Sequence, residues 1–345
     1  MKRIAVIIVN YRTPALSIAC LNALGGSRGA FEDLLAIVVD GGSGDGSAET
    51  IARSIEANSQ QAWAKSMPLP INGGFGFANN RAMLALSRDG TFPNAIALIN
   101  PDARVRPGAL EALTRLLERE PQAGAVGALL EHEDGRPQAS AFHFPSLRGE
   151  FCRGARTALV ERVLRQPASR IDLDVASEVP WVTGAAVLFR TEALRSVGLF
   201  DEGFFLYFEE TDLMRRMRQR GWTVWHEPAA RVVHEGGAAT QLRDPETGRP
   251  LAKRLPQYWY EARRRYFVRA GGRAYAIAAG IAWLTGHLVW KLKRTLTGKD
   301  DDGPVRGSSD LIKYGLLPSA SDMRDGSVAF GVDLFATPAW MRWQS

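Results

Sequence analysis

Four polar clusters in this chain of 345 residues could do chemistry. The densest is Phe200-Asp201-Glu202-Gly203-Phe204-Phe205-Leu206-Tyr207-Phe208-Glu209-Glu210-Thr211-Asp212-Leu213. Glu209, Glu210 and Asp212 crowd the start of a helix expected at 209–220, where the helix dipole favours negative charge. The dipole accounts for one or two acids, but not for the five aromatics just before them. An apolar wall beside clustered carboxylates raises a carboxyl pKa toward the range useful to a general base. The second cluster is Asn100-Pro101-Asp102, directly after the apolar run 95–99. Pro101 cannot donate to a sheet ladder and holds Asn100 extended, so a buried strand stops there. Asp102 then sits just past the carboxyl end of a central strand, in the crevice where open α/β sheets bind ligands. The third is Asp40-Gly41-Gly42-Ser43-Gly44-Asp45-Gly46. Its glycines permit tight turns, and amides at the start of the following helix suit an anion. The fourth is His234, at the end of a short strand, a candidate contact for a metal ion or a diphosphate.

Strands and helices must hold these clusters. Buried strands are expected at 2–9, 34–39, 62–67, 95–99 and 123–130, alternating with helices at 15–24, 48–57, 78–87 and 108–118. That alternation predicts a mostly parallel, doubly wound α/β sheet. Its carboxyl edge gathers Asp40, Asn72 and Asp102 on one crevice. The apolar run 4–9 is short and lacks a cleavage pattern, so it reads as the first strand rather than a leader. Between 131 and 180 the pattern loosens. Residues 132–144 suggest a hairpin and 151–165 an arginine-rich helix. A strand at 181–189, a helix at 191–197 and two short strands at 222–226 and 230–233 complete the reading.

Hydrophobic content of 46% and charged content of 23% describe an ordinary globular protein. Cys20 and Cys152 lie far apart, with no metal or disulfide spacing, which fits a reducing compartment. The net charge of +6 is uneven: residues 241–299 hold 13 Lys/Arg against 3 Asp/Glu, which leaves the remainder slightly acidic. Such a segment suits a polyanion or an anionic membrane surface. Tyr258 to Phe267 interleaves aromatics with arginines, but no nucleic-acid motif accompanies it, so nucleic acid is not an expected partner. The 17 uncharged residues 274–290 are short for a membrane span. They read instead as an interfacial helix anchored by Trp283, Trp290 and basic flanks. Asp300-Asp301-Asp302-Gly303 reads as a linker and 304–345 as a loosely docked or partly disordered tail.

Seven motifs occur in order: Val9-Asn10-Tyr11; Val39-Asp40 with Ser43 and Asp45-Gly46-Ser47; Asn72 through Asn80; Asn100-Pro101-Asp102; Trp181-Val182-Thr183-Gly184-Ala185; the 200–213 block; and His234 with Gly237. Together, over about residues 4–270, they resemble the inverting family 2 glycosyltransferases of GT-A fold, in the rhamnosyltransferase-like branch. The resemblance implies a GT-A type, Rossmann-like α/β fold with helices on both faces of a mostly parallel sheet, plus a helical basic C-terminal extension. The catalytic domain would be 1–240, with a nucleotide-binding half at 1–130 and an acceptor half at 131–240. The extension would be 241–299, and the linker and tail 300–345. Tyr11 and Asp40 would meet the nucleotide base or ribose, and Asn79, Asn80 and Arg81 the diphosphate. Asn100 and Asp102 would face the donor, Asp102 as the second acid of an Asp-x-Asp metal motif whose first place Asn100 fills. With one carboxylate, a divalent ion (Mg2+ or Mn2+) would depend on donor phosphates, with His234 helping. Thr183, Gly184 and Ala185 would lie beneath the donor sugar. Glu210 stands in the family's catalytic-base position, with Glu209 and Asp212 as alternatives.

The implied partners are a dTDP- or UDP-linked sugar, a saccharide or polyprenyl-linked acceptor and an anionic membrane surface. The implied setting is cell-surface polysaccharide synthesis at the inner face of the cytoplasmic membrane, with the protein cytoplasmic and peripheral. Two other classes stay open in the sequence. One is an S-adenosylmethionine-dependent methyltransferase, whose acidic Gly-rich loop Asp40 to Gly46 matches, although 62–67 ends without the expected carboxylate. The other is a non-catalytic membrane-surface binding protein.

Overall fold

A computed structural model of the chain describes residues 3–88, 92–165, 169–235, 254–298, 304–331 and 337–342. The strands are β1 (Arg3–Asn10), β2 (Asp33–Asp40), β3 (Ala64–Pro68), β4 (Ala95–Ile99), β5 (Ala103–Val105), β6 (Ala123–Glu131), β7 (Ala141–Phe142), β8 (Arg170–Ile171), β9 (Ser177–Glu178), β10 (Trp181–Val182), β11 (Ala186–Arg190) and β12 (Thr223–His234). The main sheet has nine strands in the order β3-β2-β1-β4-β11-β6-β12-β5, with β9 on β12. β1, β2, β3 and β4 run parallel, and β11 is antiparallel to both β4 and β6. A second sheet joins β10, β7 and β8.

β4 shows why its sequence is a plain apolar run. All five residues of Ala-Ile-Ala-Leu-Ile are buried, because helices cover both faces of the sheet. Burying Ile96, Leu98 and Ile99 contributes about 2 kcal/mol each. One face carries α1 (Pro14–Leu24), α2 (Ser47–Ala57) and α4 (Ala109–Arg119). In α4, Leu110, Leu113 and Leu117 recur at helical spacing on the buried side. The other face carries α3 (Phe75–Arg88), then, after α5 (Leu147–Ala155) and α6 (Ala158–Val163), α7 (Thr191–Val197) and α8 (Glu209–Gln219).

The structure redraws several elements. The expected strand 181–189 is two, because Thr183, Gly184 and Ala185 leave the ladder between β10 and β11. The two strands expected at 222–233 are one, β12, with a register shift between Glu227 and Arg231. The helix expected at 151–165 is broken at Arg156, whose φ of 43° is left-handed. The hairpin expected at 132–144 shrinks to a turn in which the Gln138 amide donates to Leu130 O, and β7 pairs with β8 and β10 instead. α3 begins three residues earlier than its pattern suggested.

The extension holds α9 (Gln257–Thr297), interrupted by Gly271 and Gly272, the latter at φ 81°. Trp283 and Trp290, read from sequence as membrane anchors, are instead buried against the rest of the protein, 8% and 5% exposed. The described residues after 304 are docked, not loose: Asp322 pairs with Arg264, and Leu199 and Glu202 donate backbone amides to Val328 and Gly326.

Candidate active site

β1 and β2 end side by side, which brings Asn10 to Asp40. The Asn10 amide donates to Asp40 Oδ1 at 2.7 Å, and Ser43 donates its backbone amide and hydroxyl to the same carboxylate at 3.0 and 2.6 Å. Asp40 is therefore 3% exposed and fastens the Gly-rich loop. It also lines a cleft of about 430 Å3 with Gly42, Gly44, Ser47 and Leu69. Tyr11, next to Asn10, is 42% exposed, with the Arg12 guanidinium over its ring.

Asn79, Asn80 and Arg81 are all buried in α3. The Asn80 amide donates to Phe200 O and Glu202 Oε1, and its Oδ1 accepts from the Phe200 amide. Arg81 pairs with Glu202 and lies over Phe77. These contacts of Asn80 and Arg81 clamp α3 to the turn before α8. Asn79 donates to Phe75 O and keeps Oδ1 without a partner.

Past β4, the Asn100 amide donates to Ala185 O at 2.8 Å. Asp102 is 5% exposed, its Oδ1 accepts no hydrogen bond, and His234 Nε2 lies 3.3 Å from it. Pairing of β5 with β12, with His234 opposite Ala103, brings the two together from 132 positions apart. Gln138 braces the histidine, donating to its backbone carbonyl and placing Oε1 3.4 Å from Nδ1. Holding a ligating ring through its second nitrogen is how such a histidine is kept aligned. An orphaned buried carboxylate oxygen beside an imidazole fits a divalent cation that draws its other ligands from a bound diphosphate. Among the described residues no group of three or more His, Cys, Asp or Glu could hold a metal unaided. Arg104 is held by Glu133 and Glu235.

The 183–185 turn links this corner to the acids. Thr183 donates to Ser140 O, and Gly184 packs against Glu210, a Cβ there falling 3.7 Å from Glu210 Cβ. The three acids have different surroundings. Asp212 is fully buried between Arg215 and Arg216, at 2.7 and 2.8 Å, and despite burial the two guanidinium groups hold its carboxyl below the usual range. Both its oxygens are ion-paired. Glu209 is 3% exposed and packs beside Gly76. Glu210 is less enclosed and faces Gly184. Burial pushes both carboxyls up, Glu209 well up with help from the Glu210 charge, while the Gly184 and Thr211 amides oppose the rise at Glu210. Each glutamate keeps an oxygen without a hydrogen-bond partner.

The backbone delivering these acids is strained: Tyr207 and Phe208 both have left-handed φ, 73° and 69°. Their rings belong to an aromatic wall. Tyr207 stacks on Tyr258, Tyr258 meets Phe205, and Phe205 meets Trp340. The Trp340 indole donates to Gly73 O at 3.0 Å. The Tyr207 hydroxyl is pushed up to about 12 by burial, with neighbouring Tyr258, Glu209 and Glu210 adding to the rise. Sequence reasoning missed Gln138 and Trp340. Neither has a local signal, since each reaches the site only through long-range packing.

The profile of the family described as "Glycosyltransferase like family 2" matches residues 2–253. N-acetylglucosaminyl-diphospho-decaprenol L-rhamnosyltransferases of two Mycobacterium tuberculosis strains (CDC 1551 / Oshkosh and ATCC 25618 / H37Rv) are each 34% identical over 221 residues, 61% of this chain and 68% of theirs. The mannosyltransferase PcManGT from Pyrobaculum calidifontis, solved with GDP-Man and Mn2+, shares the fold at a TM-score of 0.52 and 15% identity, over 87% of this chain and 77% of that one.

Proposed function

This chain belongs to the glycosyltransferase like family 2, and from that premise we propose that it transfers rhamnose from dTDP-rhamnose to a polyprenyl-diphosphate-linked saccharide, with inversion. The transferase class rests on the family; the sugar and acceptor rest on likeness to the mycobacterial rhamnosyltransferases. The methyltransferase reading falls with the family assignment.

The observation that carries the mechanism is one crevice holding Glu210 beside Gly184, with Ala185 tied to Asn100 and the Asp102–His234 pair beyond. Glu210 accepts the proton of an acceptor hydroxyl. That oxygen attacks the anomeric carbon from the face opposite the diphosphate. The new carbon–oxygen bond forms as the bond to the diphosphate breaks, and the electron pair leaves with the nucleoside diphosphate. Mg2+ or Mn2+, held by Asp102 and His234 with donor phosphate oxygens, would stabilise that leaving charge. Tyr11 offers a ring face to the base, and the loop fastened by Asp40 lines the nucleotide cleft. The aromatic wall from Trp340 to Tyr207 forms the acceptor side. We place the enzyme peripherally at the inner face of the cytoplasmic membrane, in cell-surface polysaccharide synthesis. No helix among the described residues is long and apolar enough to cross a membrane.

Glu210→Gln should lower transfer by roughly 10²–10⁴-fold while dTDP or UDP binding, followed by calorimetry, persists. Full turnover in that variant would move the base elsewhere. A screen of dTDP-rhamnose against UDP-hexoses with Mn2+ tests the donor, and no turnover of any sugar nucleotide would favour the non-catalytic reading.

A further inference from the structure

The half of α9 beyond Gly272 has two unlike faces. One packs on α5, backbone against backbone. A Cβ on Gly286 would lie 2.1 Å from Phe151 O, and one on Gly154 would lie 2.2 Å from Trp283 O. Trp283 and Trp290 are buried on this side. The opposite side carries Ile281, Leu288, Val289, Leu292 and Leu296, which are 50, 64, 38, 65 and 78% exposed. Their spacing places them on one stripe, roughly 22 Å long at 1.5 Å per residue. No acidic residue occurs between Arg273 and Thr297. At 100° per residue, Lys291 falls on one flank of the stripe and is exposed, whereas Lys293, on the other, donates to Thr157 Oγ1 at 2.8 Å.

We propose that this stripe docks the protein in the plane of an anionic lipid bilayer. Five large apolar side chains in one continuous row are more than a surface helix needs, and such rows mark interaction faces. The charge pattern selects the partner. A basic flank beside an apolar row, with no acid on that half of the helix, suits lipid phosphates: the stem of exposed Lys291 lies along the apolar face and its ammonium group reaches the headgroups. A helix built this way lies in the interface rather than across it. The sequence pointed to the same helix but to the wrong anchors, since the tryptophans face inward and the leucines face out.

The inference deepens the lipid-linked acceptor reading and rests on it for its purpose. The first half of α9 packs beside the acids: Trp259 meets Phe208 at 5.9 Å, and Arg265 pairs with Asp201. Docking through the second half would hold the crevice near the bilayer surface, where a polyprenyl-linked acceptor resides.

The test is co-sedimentation of the full chain with phosphatidylcholine vesicles, with and without phosphatidylglycerol. The parent should bind the anionic vesicles, and less so in high salt. The double substitution Leu288→Glu and Leu292→Glu should reduce binding roughly tenfold or more. These residues are exposed, so thermal melting and nucleotide binding should be unchanged. Parent protein that ignores anionic vesicles, or a double variant that binds like the parent, overturns the proposal. A parent dimer that the double substitution splits would assign the stripe to a second copy and overturn it as well. Vesicle binding needs no turnover, so it is scored apart from the enzymatic reading. Transfer by the double variant to a short, water-soluble acceptor keeps that reading intact even where docking fails.

Discussion

Glu209 and Glu210 are adjacent in sequence and differ in their surroundings. Glu210 faces the Gly184 turn with a raised carboxyl pKa, which matches it to a base that must be ionised to act. The rate of transfer should therefore rise with pH through a value above the ordinary 4.5 of a glutamate, and a kcat/KM profile checks this. Glu209 is buried without a guanidinium partner, and its pKa is raised well above 4.5. A raised folded-state value means the folded protein holds this proton more tightly than the unfolded chain. Stability from this group is then full below pH 4.5 and declines as pH climbs to the raised value. Glu209→Gln removes that penalty. The variant should melt higher than the parent at pH 8, and the gap should close toward pH 4. A variant that melts lower at pH 8 would show that the Glu209 charge has a partner it needs.

At the scale of elements, the site is a set of strand and helix ends held by close backbone contacts. The tightest is at Gly74, φ 94°, where a Cβ would fall 1.9 Å from Phe205 O. The Phe75 amide donates to that same oxygen at 3.1 Å, so the start of α3 and the aromatic segment before α8 are one unit. Gly74→Ala should cost about 3 kcal/mol and lower the melting temperature sharply. A near-parental melt would mean the two segments part easily. This contact also explains why α3 starts at Phe75. The apolar pattern began at 78, whereas the turn that launches the helix is set by a partner 131 positions away. The 181–189 run was misread for a related reason. Its composition suits a strand throughout, but Thr183 and Ala185 spend backbone groups on Ser140 and Asn100.

At the scale of the molecule, segments from both ends of the sequence meet at one crevice. Trp340 bonds to Gly73 O through its indole and to Glu202 O through its backbone amide, and so ties the last described residues to the Gly73–Gly74 turn and the segment before α8. Trp340→Ala should raise the acceptor KM by several-fold through loss of an aromatic contact surface, with nucleotide binding and hydrolysis of the donor kept. Trp340→Phe should recover most of the loss. An unchanged acceptor KM in the alanine variant would confine Trp340 to a bracing role.

What the sequence determined by itself is most of the sheet and a resemblance that points to glycosyl transfer. Buried strands such as β4 announce themselves as apolar runs because both faces are covered, and the polar residues at their ends must serve a ligand or a turn. Asp40, Asp102 and His234 are singled out on those grounds, and Glu210 by the acid-rich start of its helix. Tertiary structure alone decided which polar residues remain available. Asp212 is ion-paired with Arg215 and Arg216, whereas Asp102 and Glu210 keep an oxygen without a hydrogen bond among the described residues. It also decided that the tryptophans of α9 face inward. Charge and apolar character are written locally, but whether a group is paired depends on neighbours that only folding supplies.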